Sequence, residues 1–173
     1  MLAETTMAID ALQSFINAVI RTGYRTAYCA LRIWWFFRRP RTHAAAVALW
    51  HEGRVLLIRT SYRSCHSLPG GFLRSGEPSE RAASRELKEE LGIDLPSQSL
   101  HHAWHGMIPF ESRQDVLDIW EIRVDAAPMP RVMGREIVWA GWVTPAEAAK
   151  HPLLPHIAAY LEQAAERMRS ASV

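Results

Sequence analysis

Three glutamates, Glu86, Glu89 and Glu90, fall in a stretch that reads as a helix from about Pro78 to Leu91. At about 100 degrees per residue they share roughly a 100-degree arc of one helix face. Ala83, Leu87 and Leu91 form the adjacent apolar stripe, so the acids sit at the rim of a buried surface. Like charges at this spacing repel by roughly a few tenths of a kcal/mol even in solvent. Lys88 points away from the trio, and only Arg85 lies beside Glu89. Such a trio is either a solvated acidic face or a set of hard oxygen ligands for Mg²⁺ or Mn²⁺.

The flanking residues favour the second reading. Gly70 and Gly71, just before the helix, allow close backbone approach, and Gly76 and Glu77 close the loop. Gly71, Glu77, Arg85, Glu86, Leu87, Glu89, Glu90, Gly92 and Ile93 together read G-x5-E-x7-R-E-U-x-E-E-x-G-U, where U is aliphatic. This resembles the Nudix box with every defined position filled. From average residue usage, a chance match in a chain of this length is on the order of 10⁻⁷. The box covers residues 71–93, and the element order from about Thr42 to Glu147 is similar to that of a Nudix domain. Residues 1–41 lie outside the resemblance.

The resemblance implies that Glu89 and Glu90 bind divalent metal, Mg²⁺ or Mn²⁺, and that Glu86 binds metal or acts as base. It implies that the Gly70 carbonyl completes the shell, that Arg85 orients the glutamates and that Glu77 anchors Arg85. A further ligand often comes from a later loop, six residues before a tryptophan-bearing strand; Glu136 stands six before Trp142. Glu121 and Asp118 are weaker candidates. The implied reaction is attack of water on phosphorus in the diphosphate linkage of a small nucleoside diphosphate derivative. The base stays open between Glu86 and an acid of the segment Glu111-Ser112-Arg113-Gln114-Asp115. The alternative is a catalytically silent module that binds or senses a nucleotide. Such modules usually lose box glutamates, and none is lost here.

Arg59, Tyr62 and Arg63 precede the Gly-Gly loop and are the candidate substrate contacts, arginines for phosphate and Tyr62 for stacking on a base. Trp104 and Trp120 read either as base clamps or as core. Pro109 stands near where members that cleave ADP-ribose tend to have a proline. His101, His102 and His105 show no recognised zinc spacing and read as surface or sheet residues.

The elements that must position these residues are short and mixed. Ala44–Trp50 and Val55–Ile58 are apolar runs joined by His51-Glu52-Gly53-Arg54, a hairpin signal. Pro78 suits the first position of the acidic helix, and Gly92 stops it. Leu100–Met107, Val116–Val124 and Ile137–Val143 read as strands, Thr144–Glu147 opens a short helix, and Leu153–Met168 forms a terminal helix. The fold expected is a three-layer α/β/α sandwich with a mixed central sheet over residues 42–173, preceded by a helical extension over residues 1–41. Within that extension, residues 8–22 and Tyr24–Phe37 read as two helices. Its charges, Arg21, Arg25, Arg32, Arg38, Arg39 and Arg41, are all positive. It reads as packed on the domain or on a second copy in a homodimer, or as lying peripherally on a membrane surface.

The bulk composition sets the outer limits. With 173 residues the chain suits one domain with a core, and 49% hydrophobic against 22% charged residues is ordinary for a globular protein. A formal net charge of +2 gives no sign of specific nucleic-acid binding. Cys29 and Cys65 make neither a metal motif nor a disulfide framework, which fits a reducing, cytoplasmic setting. The apolar run Ala27–Phe37 is interrupted by Arg32 and is far shorter than the roughly 20 residues a bilayer span needs.

Overall fold

The computed structural model describes residues 2–170; Met1 and residues 171–173, the outer ends of the two expected segments, lie outside it. Its centre is a seven-stranded mixed sheet. Strand β1 (Arg41–His51) runs through the middle, parallel to β6 (Arg113–Arg123), which pairs in turn with the edge strand β5 (His101–Phe110). On its other side β1 pairs with β2 (Arg54–Thr60) only near the connecting turn. There Glu52 and Gly53 both take positive φ, 46° and 73°, as a two-residue hairpin turn requires. The two strands then diverge. Into the gap comes β4 (Gly70–Phe72), which pairs with Ala44–Ala46 of β1, while β2 pairs with β3 (His66–Ser67) and β7 (Ile137–Val143).

The apolar run in β1 is continuous because both faces of the strand are buried. Ala45, Val47 and Leu49 pack towards helix α2 (Ser79–Leu91), against Ala82, Ala83, Leu87 and Leu91. Ala46, Ala48 and Trp50 pack towards α4 (Pro155–Ser170), against Ile157, Tyr160, Leu161 and Ala164. On that side Trp50 Nε1 donates to Tyr160 Oη at 2.8 Å, so the indole N–H has a partner in the core. The short helix α3 (Pro145–Ala148) opens with a capping box between Thr144 and Glu147. These layers are the α/β/α architecture expected from the sequence.

The N-terminal extension departs from expectation. It is one helix, α1 (Leu2–Arg38), continuous through Gly23. A lone glycine costs a helix about 1 kcal/mol but does not break its hydrogen-bond ladder. Docking on both sides of Gly23 holds the helix together: Arg21 Nε donates to Gly134 O at 2.6 Å and Arg25 Nε to Ser61 O at 3.1 Å. Trp35 is buried, and the helix ends before Pro40 with Arg39 at φ 44°. The opposite face leaves Leu12, Phe15, Val19, Trp34 and Phe37 exposed, Phe37 at 77%. No helix among the described residues is long and apolar enough to cross a membrane.

Leu87 is fully buried between α2 and β1. Leu87→Ala should therefore lower stability by about 2–5 kcal/mol, read from urea unfolding as a shifted midpoint with unchanged slope.

Candidate active site

The acidic helix begins one residue later than expected. Pro78 is its N-cap, with φ −62° and ψ 141°, and Ser79 starts the helix. Gly92, at φ 70°, closes it by donating its N–H to Lys88 O at 2.9 Å. Lys88 turns outward to Asp94 at 2.6 Å. Arg85 is the hub of the site. Its Nε and Nη2 each reach Glu77 at 2.8 Å, a bidentate fork that holds the Glu77 carboxyl down at about 2. Nη1 donates to Glu86 Oε1 at 2.5 Å and to Glu89 Oε2 at 3.4 Å, and Nη2 reaches Phe72 O at 3.2 Å. One planar cation thus ties the loop, strand β4 and two glutamates of α2 together.

The two glycines of β4 admit the helix and the central strand at close range. A Cβ on Gly71 would lie 2.6 Å from the carboxyl carbon of Glu86. A Cβ on Gly70 would lie 2.3 Å from Ala45 O and 2.6 Å from Ala46 Cα. The Gly70 N–H donates to Glu90 Oε2 at 2.9 Å. Beyond β4, Tyr62 Oη donates to Glu136 Oε1 at 3.0 Å and Ser61 N to Glu136 O at 2.7 Å, so Glu136 faces the helix from the far side.

These groups share one cavity of roughly 500 Å³, lined by Gly70, Gly71, Glu86, Glu89, Glu90 and Glu136. The carboxylates feel one another. Burial, then repulsion from Glu86 and Glu136, holds Glu90 well above the usual carboxylate range. Burial likewise raises Glu86, with Glu89 and Glu136 adding to the effect against the pull of Arg85. A cluster of oxygen donors that cannot comfortably all be charged matches the needs of a hard divalent cation. Arg63, Arg113 and Arg135 also line the cavity.

Of the candidate substrate contacts, Tyr62 and Arg63 line the cavity, and Arg59 does not. Arg59, on β2, lies instead in a separate hollow with Ser64, His66, Trp139 and His151, whereas Tyr62 and Arg63 stand in the loop after that strand. Trp104 and Trp120 are both away from the cavity: Trp104 packs on the α4-side core and His156, and Trp120 on the α2-side core. Pro109 lies in the edge strand β5, opposite Gln114. Of the acids of the 111–115 segment, Asp115 lines the cavity and Glu111 does not, and both are bonded to neighbours. Glu111 is bonded to Tyr28 and lies 3.2 Å from Arg113 Nη1, and Asp115 accepts from Arg113 Nη2 at 2.9 Å and from Thr42 at 2.7 Å. Glu121 accepts from Tyr160 and Arg167.

Sequence reasoning missed the contribution of α1. Tyr24 lines the cavity and stacks at 6.2 Å on Tyr62, which also meets Tyr28 at 4.8 Å. Arg63 Nε donates to Tyr28 Oη at 2.7 Å. Trp35 lies over the Arg113 guanidinium at 3.9 Å. The signal was present as Arg21, Tyr24, Arg25, Tyr28, Arg32 and Trp35, a stripe of polar and aromatic residues at helical spacing.

A mixed sheet between helical layers thus carries an acidic helix beside a Gly-Gly strand, with arginines on the same cavity wall. The sequence matches the NUDIX domain family over residues 39–164. It is 31% identical over 140 residues to an uncharacterized Nudix hydrolase, orf19, of Rhodococcus erythropolis, covering 66% of this chain and 74% of that one. It is 42% identical over 52 residues to an ADP-ribose pyrophosphatase of Methanocaldococcus jannaschii, a match that spans 28% of this chain and only 31% of that protein. Among solved structures, the MutT NUDIX hydrolase of Burkholderia pseudomallei superimposes with a TM-score of 0.62 at 28% identity, covering 71% of this chain and 97% of that one. The chain belongs to the NUDIX family and is a Nudix hydrolase.

The two glycines should respond differently to a methyl group. Gly70→Ala meets backbone of β1 and should destabilise the fold by about 1–3 kcal/mol. Gly71→Ala meets a side-chain carboxylate and should displace Glu86, lowering kcat while the melting temperature stays near wild type. The raised carboxyls of Glu86 and Glu90 bind protons more tightly in the folded chain than in the unfolded one. In chelator, their contribution to stability should therefore fall as the pH rises above 4.5 through their raised values. Thermal melts across that window should show the decline, with a shallower slope in Glu90→Gln.

Proposed function

We propose that this chain hydrolyses the diphosphate linkage of a nucleoside diphosphate derivative in a divalent-metal-dependent reaction. The observation that carries the proposal is the convergence of Glu86, Glu89, Glu90 and Glu136 with Gly70 on one cavity whose wall also holds Arg63 and Arg135. Glu89, Glu90, Glu136 and the Gly70 carbonyl are the groups that would hold Mg²⁺ or Mn²⁺, with Glu86 left to act as base. When bound, such an ion neutralises phosphate oxygens and lowers the pKa of water.

The chain's own residues supply the rest. Arg85, anchored by Glu77, fixes Glu86 and Glu89 and leaves Glu86 Oε2 out of its grip. That oxygen takes the proton of the attacking water; burial, which lifts the Glu86 carboxyl, also makes it a better base. Arg63 and Arg135 face the anionic oxygens of the diphosphate, and the Tyr24 and Tyr62 rings offer flat faces to a base. The partial likeness to an ADP-ribose pyrophosphatase makes ADP-ribose the first substrate to try.

The test is a panel of ADP-ribose, NADH, dinucleoside polyphosphates and nucleoside triphosphates with Mg²⁺, read by product mass. Cleavage between the phosphorus atoms of a diphosphate linkage, dependent on added metal, is the expected result. Glu90→Gln should abolish turnover with the fold intact, and Glu86→Gln should lower kcat by about 10²–10⁴-fold. Full activity of Glu90→Gln would sink the assignment. Binding of a panel member without any product would identify a nucleotide-sensing module instead.

A further inference from the structure

A second cluster of ligating side chains lies on the sheet, outside the cavity. Asp118 of β6 is nearly buried, its side chain 10% exposed, and it meets three imidazoles. His105 Nδ1 lies 2.6 Å and His102 Nε2 3.4 Å from Asp118 Oδ1. His43 Nε2, from β1, lies 2.9 Å from the other oxygen, Oδ2. None of the four residues lines the catalytic cavity.

The local backbone makes this convergence. Residues three apart on a regular strand point to opposite faces. Between His102 and Trp104 the register of β5 against β6 shifts, with His102 opposite Trp120 and Trp104 opposite Ile119. Ala103 is the extra residue, and both Ala103 and Trp104 pack into the α4-side core. The bulge therefore turns His102 and His105 to the same α2-side face, the face that carries Asp118. His102 is further braced edge-on by Trp120 at 5.1 Å.

From this geometry we infer that His102 Nε2, His105 Nδ1 and Asp118 Oδ1 form a binding site for one imidazole-preferring divalent ion of the Zn²⁺ type, separate from the Nudix box. The three ligand atoms lie within 4.8 Å of one another, and the two imidazoles are about half exposed, which leaves an entry path and room for water as a further ligand. His43 acts behind them, holding the carboxylate through its second oxygen so that Oδ1 faces the imidazoles. Two nitrogens and one carboxylate oxygen suit Zn²⁺, Ni²⁺ or Cu²⁺ and disfavour Mg²⁺, whereas the all-oxygen box has the opposite preference. The ion joins the edge strand β5 to β6 and displaces protons shared between the rings and the carboxylate.

Equilibrium dialysis of the full chain against Zn²⁺ in excess Mg²⁺, with metal counted by mass spectrometry, tests this directly. One equivalent of Zn²⁺ should stay with wild type and equally with Glu90→Gln. His102→Gln and His105→Gln should each weaken retention at least about tenfold, and His43→Ala by about 10–100-fold. Circular dichroism of each variant checks the fold. Co²⁺ added to wild type should give a visible absorption band that His105→Gln lacks. No Zn²⁺ retained by wild type, equal retention by the His102 and His105 variants, or loss of the equivalent in Glu90→Gln would overturn the inference.

Discussion

The site depends on holding like charges together, and Arg85 is the group that does so. Its five donors are distributed over Glu77, Glu86, Glu89 and the Phe72 carbonyl, so the guanidinium offsets repulsion among the acids while fixing where each one points. A lysine, with a point charge on a flexible stem, would supply the same charge without the fork. Glu90 lies outside this network and depends on the Gly70 N–H, which makes it the carboxylate most in need of a positive partner.

The sheet provides the space. β1 and β2 leave the hairpin turn paired and then separate, and the short strand β4 enters the gap with two residues, Gly70 and Gly71, that carry no side chain. A strand of ordinary residues there would meet Ala45 and Ala46 on one side and Glu86 on the other. The central strand, buried on both faces, fixes α2 from one side and α4 from the other. The cavity opens where these layers part.

Local patterns carried much of this in advance. The phase of α2 follows from Ala83, Leu87 and Leu91, all of which are buried, and the Glu52-Gly53 turn follows from hairpin chemistry. Glu136, six residues before Trp142, lines the cavity. What escaped depends on tertiary register. Nothing in the spacing of His102 and His105 announces a bulge at Ala103, and without the bulge the two rings would lie on opposite faces. Strands as short as β3 and β4 hold no periodicity to read. Arg59 and Arg63 are alike in type and four residues apart, but β2 directs the first away while the loop after it directs the second inward.

Helix α1 extends about 55 Å at 1.5 Å per residue, and its two long sides have unlike neighbours. One side contributes the Tyr24 ring to the cavity wall and braces Tyr62, Arg63 and Arg113, while the other presents Phe15, Val19, Trp34 and Phe37 to the surroundings. Lifting the helix away would therefore take the Tyr24 ring out of the wall and leave Tyr62, Arg63 and Arg113 without their aromatic supports.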